Sequence, residues 1–282
     1  MDLKQRYPNQ LIAVCCELTK GPLVFALRKY NHLVLFPVNP STVANVRKAF
    51  VHSGAKNDPS DANIQTDILS LYMDKLRPLV PDSSAVRALA QLTEYRRSLV
   101  QDRVDLSNRI TALLKNYFPQ VLDWFHEKDT HIFCDFLLKW PTLGLAKRAR
   151  QHTLLNFFEA HNARYRQVND KRIQAIKQAM SLTDDPGVIE PNQIMVECLL
   201  PQLKLIMDSI ERLDRDIKQR YKKLDDHILF DSLPGAGPVM APRLLVAFGS
   251  NRDRYQTASE MQKYAGVAPV IEQSGDKSWT HW

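Results

Sequence analysis

The chain has 282 residues, 44% of them hydrophobic and 24% charged, which is ordinary for a soluble globular protein of one or two domains. Its net charge of +7 favours a polyanionic partner, since Lys and Arg release counterions from phosphates. MDLKQRYPNQ has no apolar core for a signal peptide and no stretch is long enough to span a bilayer, so a cytoplasmic protein with no membrane partner is expected.

Leu11 to Cys16 is a short apolar run closed by Glu17, the pattern of a buried strand. Gly21-Pro22 punctuates, Leu23 to Tyr30 reads as a short helix, and Leu33 to Phe36 as a second buried strand. Strand, helix, strand at this spacing predicts a βαβ unit with parallel strands and its ligand end at Glu17. The adjacent Cys15 and Cys16 would point to opposite faces; with Cys134 and Cys198 they form no C-x-x-C pair, and reduced thiols are expected.

Val43 to Phe50 predicts another helix, and Ser53 to Ala62, SGAKNDPSDA, the start of the next, which runs to about Leu76. Pro59 suits the first helical position, which makes Asp58 the N-cap and Asp61 the third helical residue. Both carboxylates then lie at one open helix end, about 5–6 Å apart at Cβ. The spacing favours a capping box with Asp in place of Glu over a pair of oxygen ligands for a magnesium-like ion, and the two readings are compatible. Glu17 could meet them at the sheet edge, or be a solvated strand-end carboxylate.

From Ser83 to Phe118 the pattern is helical, with Leu92, Leu99, Leu106 and Leu113 repeating every seven residues. Arg96 and Arg103 interrupt the partner positions. A second long helix is expected from Gln193 to about Phe230, with a stripe from Leu199 through Ile210 and Ile217 to Ile228. The two suit an antiparallel hairpin or a dimerisation arm, and hence a homo-oligomer. Between them Lys147, Arg148 and Arg150 cluster with Arg164, Arg166, Lys171 and Arg172 around Tyr165, either as a phosphate-tracking face or as a solvated one. Asp184-Asp185-Pro186-Gly187 reads as a turn. Further on, Leu233-Pro234-Gly235-Ala236-Gly237-Pro238 before an apolar helix, Val239 to Phe248, has the form of a helix-hairpin-helix. Its glycines permit φ > 0, and backbone N–H groups at the second helix could hold a phosphate. Arg243, Arg252 and Arg254 lie close by. Gln273-Ser274-Gly275 reads as a turn.

LPGAGPVMAPRLLVAFGSNRDRYQTASEMQKYAGVAPVIEQSG resembles the C-terminal domain of the Piv/MooV-related DEDD insertion-sequence transposases, block by block. VNPSTVANVRKAFVHSGAKNDPSDA resembles the N-terminal signature of the same family, and the helical middle also fits. The resemblance implies an α/β, RuvC-like (RNase H-like) domain at residues 1–82 in which Glu17, Asp58 and Asp61 are the second, third and fourth metal-binding acids. It implies a helical, coiled-coil-like linker at 83–230 and a small helical transposase domain at 231–282, in which Ser274 is the nucleophile. DNA would be the substrate, Mg2+ or another divalent metal the cofactor, and, as in some members, a structured guide RNA a further partner. The loop and basic-cluster patterns above offer Gly235, Gly237, Arg243, Arg252, Arg254, Lys147, Arg148 and Arg150 as the DNA-binding residues. The family places a strand with its first Asp ahead of what is here Met1, and further helix beyond Trp282. A chain truncated at both ends is therefore expected, with catalysis impaired or absent. The competing expectations are a DNA-binding protein without metal chemistry and a coiled-coil partner of an intact relative.

Overall fold

A computed structural model describes residues 2–50, 57–163 and 165–281, without the side chains of Asp2 and Arg252. Ser53 to Lys56 of the acidic stretch, Arg164 of the basic cluster and the Arg252 side chain thus lie outside the described residues. The chain divides into two compact units, Met1–Pro81 and Asp82–Trp282.

In the first unit, α1 (Asp2–Arg6) precedes β1 (Ile12–Cys16), α2 (Pro22–Leu27) and β2 (Leu33–Pro37). The strands are parallel, with Ile12 opposite Leu33 and Cys16 opposite Pro37. Pro22 opens α2 after Gly21, whose φ of 128° is open to glycine. The strands are less buried than their sequence suggests: in β1 only Cys16 is fully covered, in β2 only Leu35 and Phe36. Two strands cannot cover both of their own faces. The segment after the last helix helps at one edge, where the Leu79 N–H donates to the Leu35 carbonyl at 2.7 Å. α3 (Pro40–Phe50) and α4 (Asp58–Leu71) close the unit around Val38, Val43, Ile64 and Ile68. α4 stops at Leu71, short of the expected Leu76, because Met73–Lys75 tightens into a 3-10 turn.

The second unit is built on two long helices, α5 (Ser84–Tyr117) and α11 (Pro186–Tyr221). Ser83 caps α5, its hydroxyl accepting from the Val86 N–H. Between them run α6 (Val121–Trp124), α7 (His131–Lys139), α8 (Leu143–Arg148), α9 (Gln151–Ala160) and α10 (Arg166–Gln178). The long pair is antiparallel: Arg96 reaches Asp214 at 2.5 Å, and Asn116 reaches Asn192 at 3.3 Å. An intrachain hairpin thus uses the leucine stripe of both helices. At one end of the pair, Ile110, Leu114, Leu199, Leu200 and Leu203 join a large aromatic core from α6 to α10. At the other end Val86, Leu89, Ile217 and Tyr221 meet α12 (His227–Asp231) and α13 (Met240–Phe248) through Phe230, Ala241 and Leu245.

Three sequence expectations are corrected here. Asp184 to Gly187 is no turn: Asp185 caps α11, its carboxylate accepting from the Gly187 N–H at 2.9 Å, and Pro186 is the first helical residue. α11 also carries Pro191 and Pro201 inside it, held by packing despite the backbone donors each removes. It ends at Tyr221 rather than Phe230, so Ile228, 69% exposed, is no part of the stripe. Lastly, the C-terminal segment is not all helix. α14 (Ala258–Ala265) is followed by an antiparallel hairpin, β3 (Val270–Ser274) and β4 (Lys277–His281).

Candidate functional site

The acidic end of α4 is set by its cap. Asn57, not Asp58, is the N-cap: its side-chain oxygen accepts from the Ser60 N–H at 2.8 Å. Asp58 is then the first helical residue and Pro59 the second, and Asp61 lies one turn into α4. Both carboxylates stay in the first turn, where the positive end of the helix dipole favours them. Asp58 is exposed, whereas Asp61 is almost fully buried. Glu17, just past β1, accepts from Gln65 Nε2 at 2.9 Å, and Gln65 stands one turn along α4 from Asp61. Strand end and helix start therefore do approach one another.

Sequence reasoning missed Arg47. It occupies the last turn of α3, and its Nε donates to Asp61 Oδ1 at 2.8 Å while Nη2 donates to the same oxygen. Nothing in the sequence near Asp61 signals this partner, which lies 14 residues away on another helix. The oxygen-donor chemistry of Glu17, Asp58 and Asp61 suits a hard divalent cation. The arrangement does not: among the described residues no three acidic, His or Cys side chains are grouped to hold a metal, and Asp61 is neutralised by Arg47.

Ser274 is the last residue of β3 and pairs with Lys277 across the Gly275-Asp276 turn. Gly275 has φ 58°, as the first central residue of a two-residue hairpin turn requires. Every residue of both strands is exposed, Ser274 included. The alternation of a strand puts Ser274, Glu272, Lys277, Trp279 and His281 on one face. His281 approaches Glu272 there at 3.5 Å. The turn expected at Gln273-Ser274-Gly275 is present at Gly275-Asp276, but the strands on either side of it replace the helical segment that the sequence suggested.

In the loop before α13, Gly235 has the positive φ expected of it, 77°. The backbone donors turn inward, however. The Ala236 N–H goes to Leu233 O, the Gly237 N–H to Gly235 O, and the N–H groups of Met240 and Ala241 both to Gly237 O. Pro242 has none to give. Arg243 is exposed on α13, and Arg254 stacks over Tyr264 with its guanidinium carbon 4.6 Å from the ring centre. In the middle helices Lys147 donates to the Ala179 carbonyl at 2.7 Å, capping the end of α10, while Arg148 and Arg150 are exposed. Arg172 is not on that surface: it packs on Phe125 and Phe158, and burial lowers its pKa.

A transposase model for the DEDD domain of IS110 elements matches residues 2–119, and the model of the transposase IS116/IS110/IS902 family matches residues 227–282. The chain belongs to the IS110/IS116 transposase family. It is 29% identical over 272 residues to the mini-circle putative transposase for IS117 of Streptomyces coelicolor, covering 94% of this chain and 65% of that protein. The 44.8 kDa protein of insertion element IS116 from Streptomyces clavuligerus is 26% identical over 238 residues, 84% of this chain and 58% of the relative. The 43.6 kDa protein of IS110 from Streptomyces coelicolor is 24% identical over 226 residues, 78% and 54% respectively. The chain thus spans between 54% and 65% of the length of these three relatives.

Within this IS110/IS116-family chain, Glu17, Asp58, Asp61 and Arg47 fall in the first matched segment, and the Gly235 loop, Arg243, Arg254 and Ser274 in the second. Lys147, Arg148 and Arg150 lie in neither. No helix among the described residues is long and apolar enough to cross a membrane.

Proposed function

We propose that the chain is an insertion-sequence transposase that breaks and rejoins DNA strands through Ser274. In this reading the Ser274 oxygen attacks a backbone phosphorus, the bond to one deoxyribose oxygen breaks, and the hydroxyl proton leaves with that oxygen. The strand end is held as a phosphoserine ester, which a DNA hydroxyl reverses to rejoin it. The observation that carries the reading is the placement of Ser274 in the family-matched C-terminal segment. It stands on an exposed strand end beside a tight turn, with Lys277 across from it. A lysine ammonium beside an attacked phosphate offsets the charge that phosphoryl transfer must bear. Arg243, Arg254, Arg148 and Arg150 supply sequence-independent phosphate contacts.

The remaining parts rest on the resemblance: a RuvC-like form for the first unit, the acids Glu17, Asp58 and Asp61 as its cation ligands, a structured RNA guide, and self-association through the outer faces of α5 and α11. The same holds for the division at 82 and 230 into RuvC-like, linker and transposase parts. A second reading, a DNA-binding chain without strand chemistry, is favoured by the neutralisation of Asp61 by Arg47. Strand exchange between plasmids carrying joined element ends separates the two. The first reading expects exchange that Ser274→Ala abolishes with DNA affinity retained. Salt-sensitive DNA binding with no exchange by the unaltered chain sinks the first reading and leaves the second.

A further inference from the structure

We infer that Arg47 is the internal counter-cation of Asp61 and competes with a divalent cation for its carboxylate. The inference rests on the reading of Glu17, Asp58 and Asp61 as cation ligands. Both donors of Arg47 converge on Oδ1, and Oδ2 has no hydrogen bond among the described residues. This is not the parallel fork in which a guanidinium satisfies both carboxylate oxygens. It leaves one oxygen of Asp61 open while its charge is already cancelled.

The fold supports both halves of the pair. Arg47 lies in the last turn of α3, where the helix dipole favours a cation, and Asp61 in the first turn of α4, where it favours an anion. The two side chains are only 15% and 12% exposed, so salt screens the attraction weakly. A divalent ion on Asp61 would sit within a few ångströms of the guanidinium, and at that range like charges repel strongly in a partly buried site. Cation and Arg47 therefore exclude one another. With Arg47 on Asp61, Glu17 bonded to Gln65 and Asp58 in solvent, the three acids form no cage among the described residues.

Titration of the full chain with Mn2+, followed by the loss of its free-ion paramagnetic resonance signal, tests the competition without reference to activity. Arg47→Gln is expected to bind Mn2+ at least tenfold more tightly than the unaltered chain. Arg47→Lys, which keeps the charge, should return affinity to near the starting value, and Asp61→Asn on the Arg47→Gln background should remove the gain. Circular dichroism melts show which variants are folded, and Arg47→Ala replaces Arg47→Gln if that one is not. Mn2+ binding that Arg47→Gln leaves unchanged or weakens overturns the competition while leaving the acids as a cation site. No binding by any variant at millimolar Mn2+ overturns the cation site itself, and the competition with it.

Discussion

Phe136 is fully buried among Trp124, Phe125, Trp140, Phe157 and Phe158, whereas Trp279, on the hairpin of the same unit, leaves half its surface in solvent. The rings around Phe136 meet edge-on, tilted or stacked at 5.0 to 6.2 Å between centroids. They fix the middle helices against the end of α5 and α11. Every residue of the hairpin strands is exposed, and a two-stranded ribbon alone is marginal in water. The contrast shows that the helical body supplies stability while the proposed nucleophile is carried on an element that contributes almost none. Such an element takes a firm geometry only when something else, here proposed to be DNA, lies against it.

The strongest way to break that contrast is Phe136→Ala. It should cost about 3–5 kcal/mol in urea unfolding, the usual penalty for an emptied aromatic site. A loss under 1 kcal/mol would mean that this cluster is not what holds the body together. Gly249→Ala comes next, at about 2 kcal/mol, because φ is 81° and a Cβ would meet Asp82 Oδ1 at 2.7 Å. Asp82 accepts from both the Ser250 N–H and hydroxyl, fastening the end of α13 to the start of α5. An unchanged melting temperature would show that this clasp is dispensable.

Asp135 gives a smaller effect with a pH signature. Burial pushes its pKa up, but hydrogen bonds from Lys204 and His161 outweigh this and hold it below the usual carboxylate value. A lowered folded-state pKa adds stability that is fully present above the unfolded value. That stability is lost as the pH falls through the folded one. Asp135→Asn should therefore cost about 1 kcal/mol at pH 7, discounted for partial exposure, and progressively less as the pH drops below 4. A pH-independent difference would show that the charge is not involved. The smallest effect is expected of Trp279→Ala: under about 0.5 kcal/mol on unfolding, with a clear loss in strand exchange. A large drop in stability would show that the hairpin is packed after all.

Much of the body was legible because its signals are local. Ser83 caps α5 and the sevenfold leucines follow. β1, α2 and β2 are marked by apolar runs on either side of Gly21-Pro22. The start of α11 was misread because Asp-Pro-Gly favours a turn in isolation, while the same Asp185 and Pro186 cap and open a helix once the apolar stripe beyond them is buried. Asn57 displaced Asp58 as a cap since the two differ by a single position and share the chemistry. The site was legible only in part. Glu17 does reach Gln65 on α4, one turn from Asp61, but the Arg47 partner of Asp61 depends on how α3 packs on α4, and no local pattern carries it. In the C-terminal loop only Gly235 of the two glycines takes the positive φ expected, and Gly237 does not. The inward turn of the N–H groups at Met240 and Ala241 depends on Gly237 offering its carbonyl to both.

The account is tested most directly by trapping. The full chain is incubated with DNA carrying element ends and a nick that lets the cleaved strand diffuse away, then digested and mapped by mass spectrometry. A nucleotide ester on the peptide that contains Ser274, absent from Ser274→Ala, is the result predicted. An adduct on a different residue, or cleaved strands with no protein attached, would contradict it.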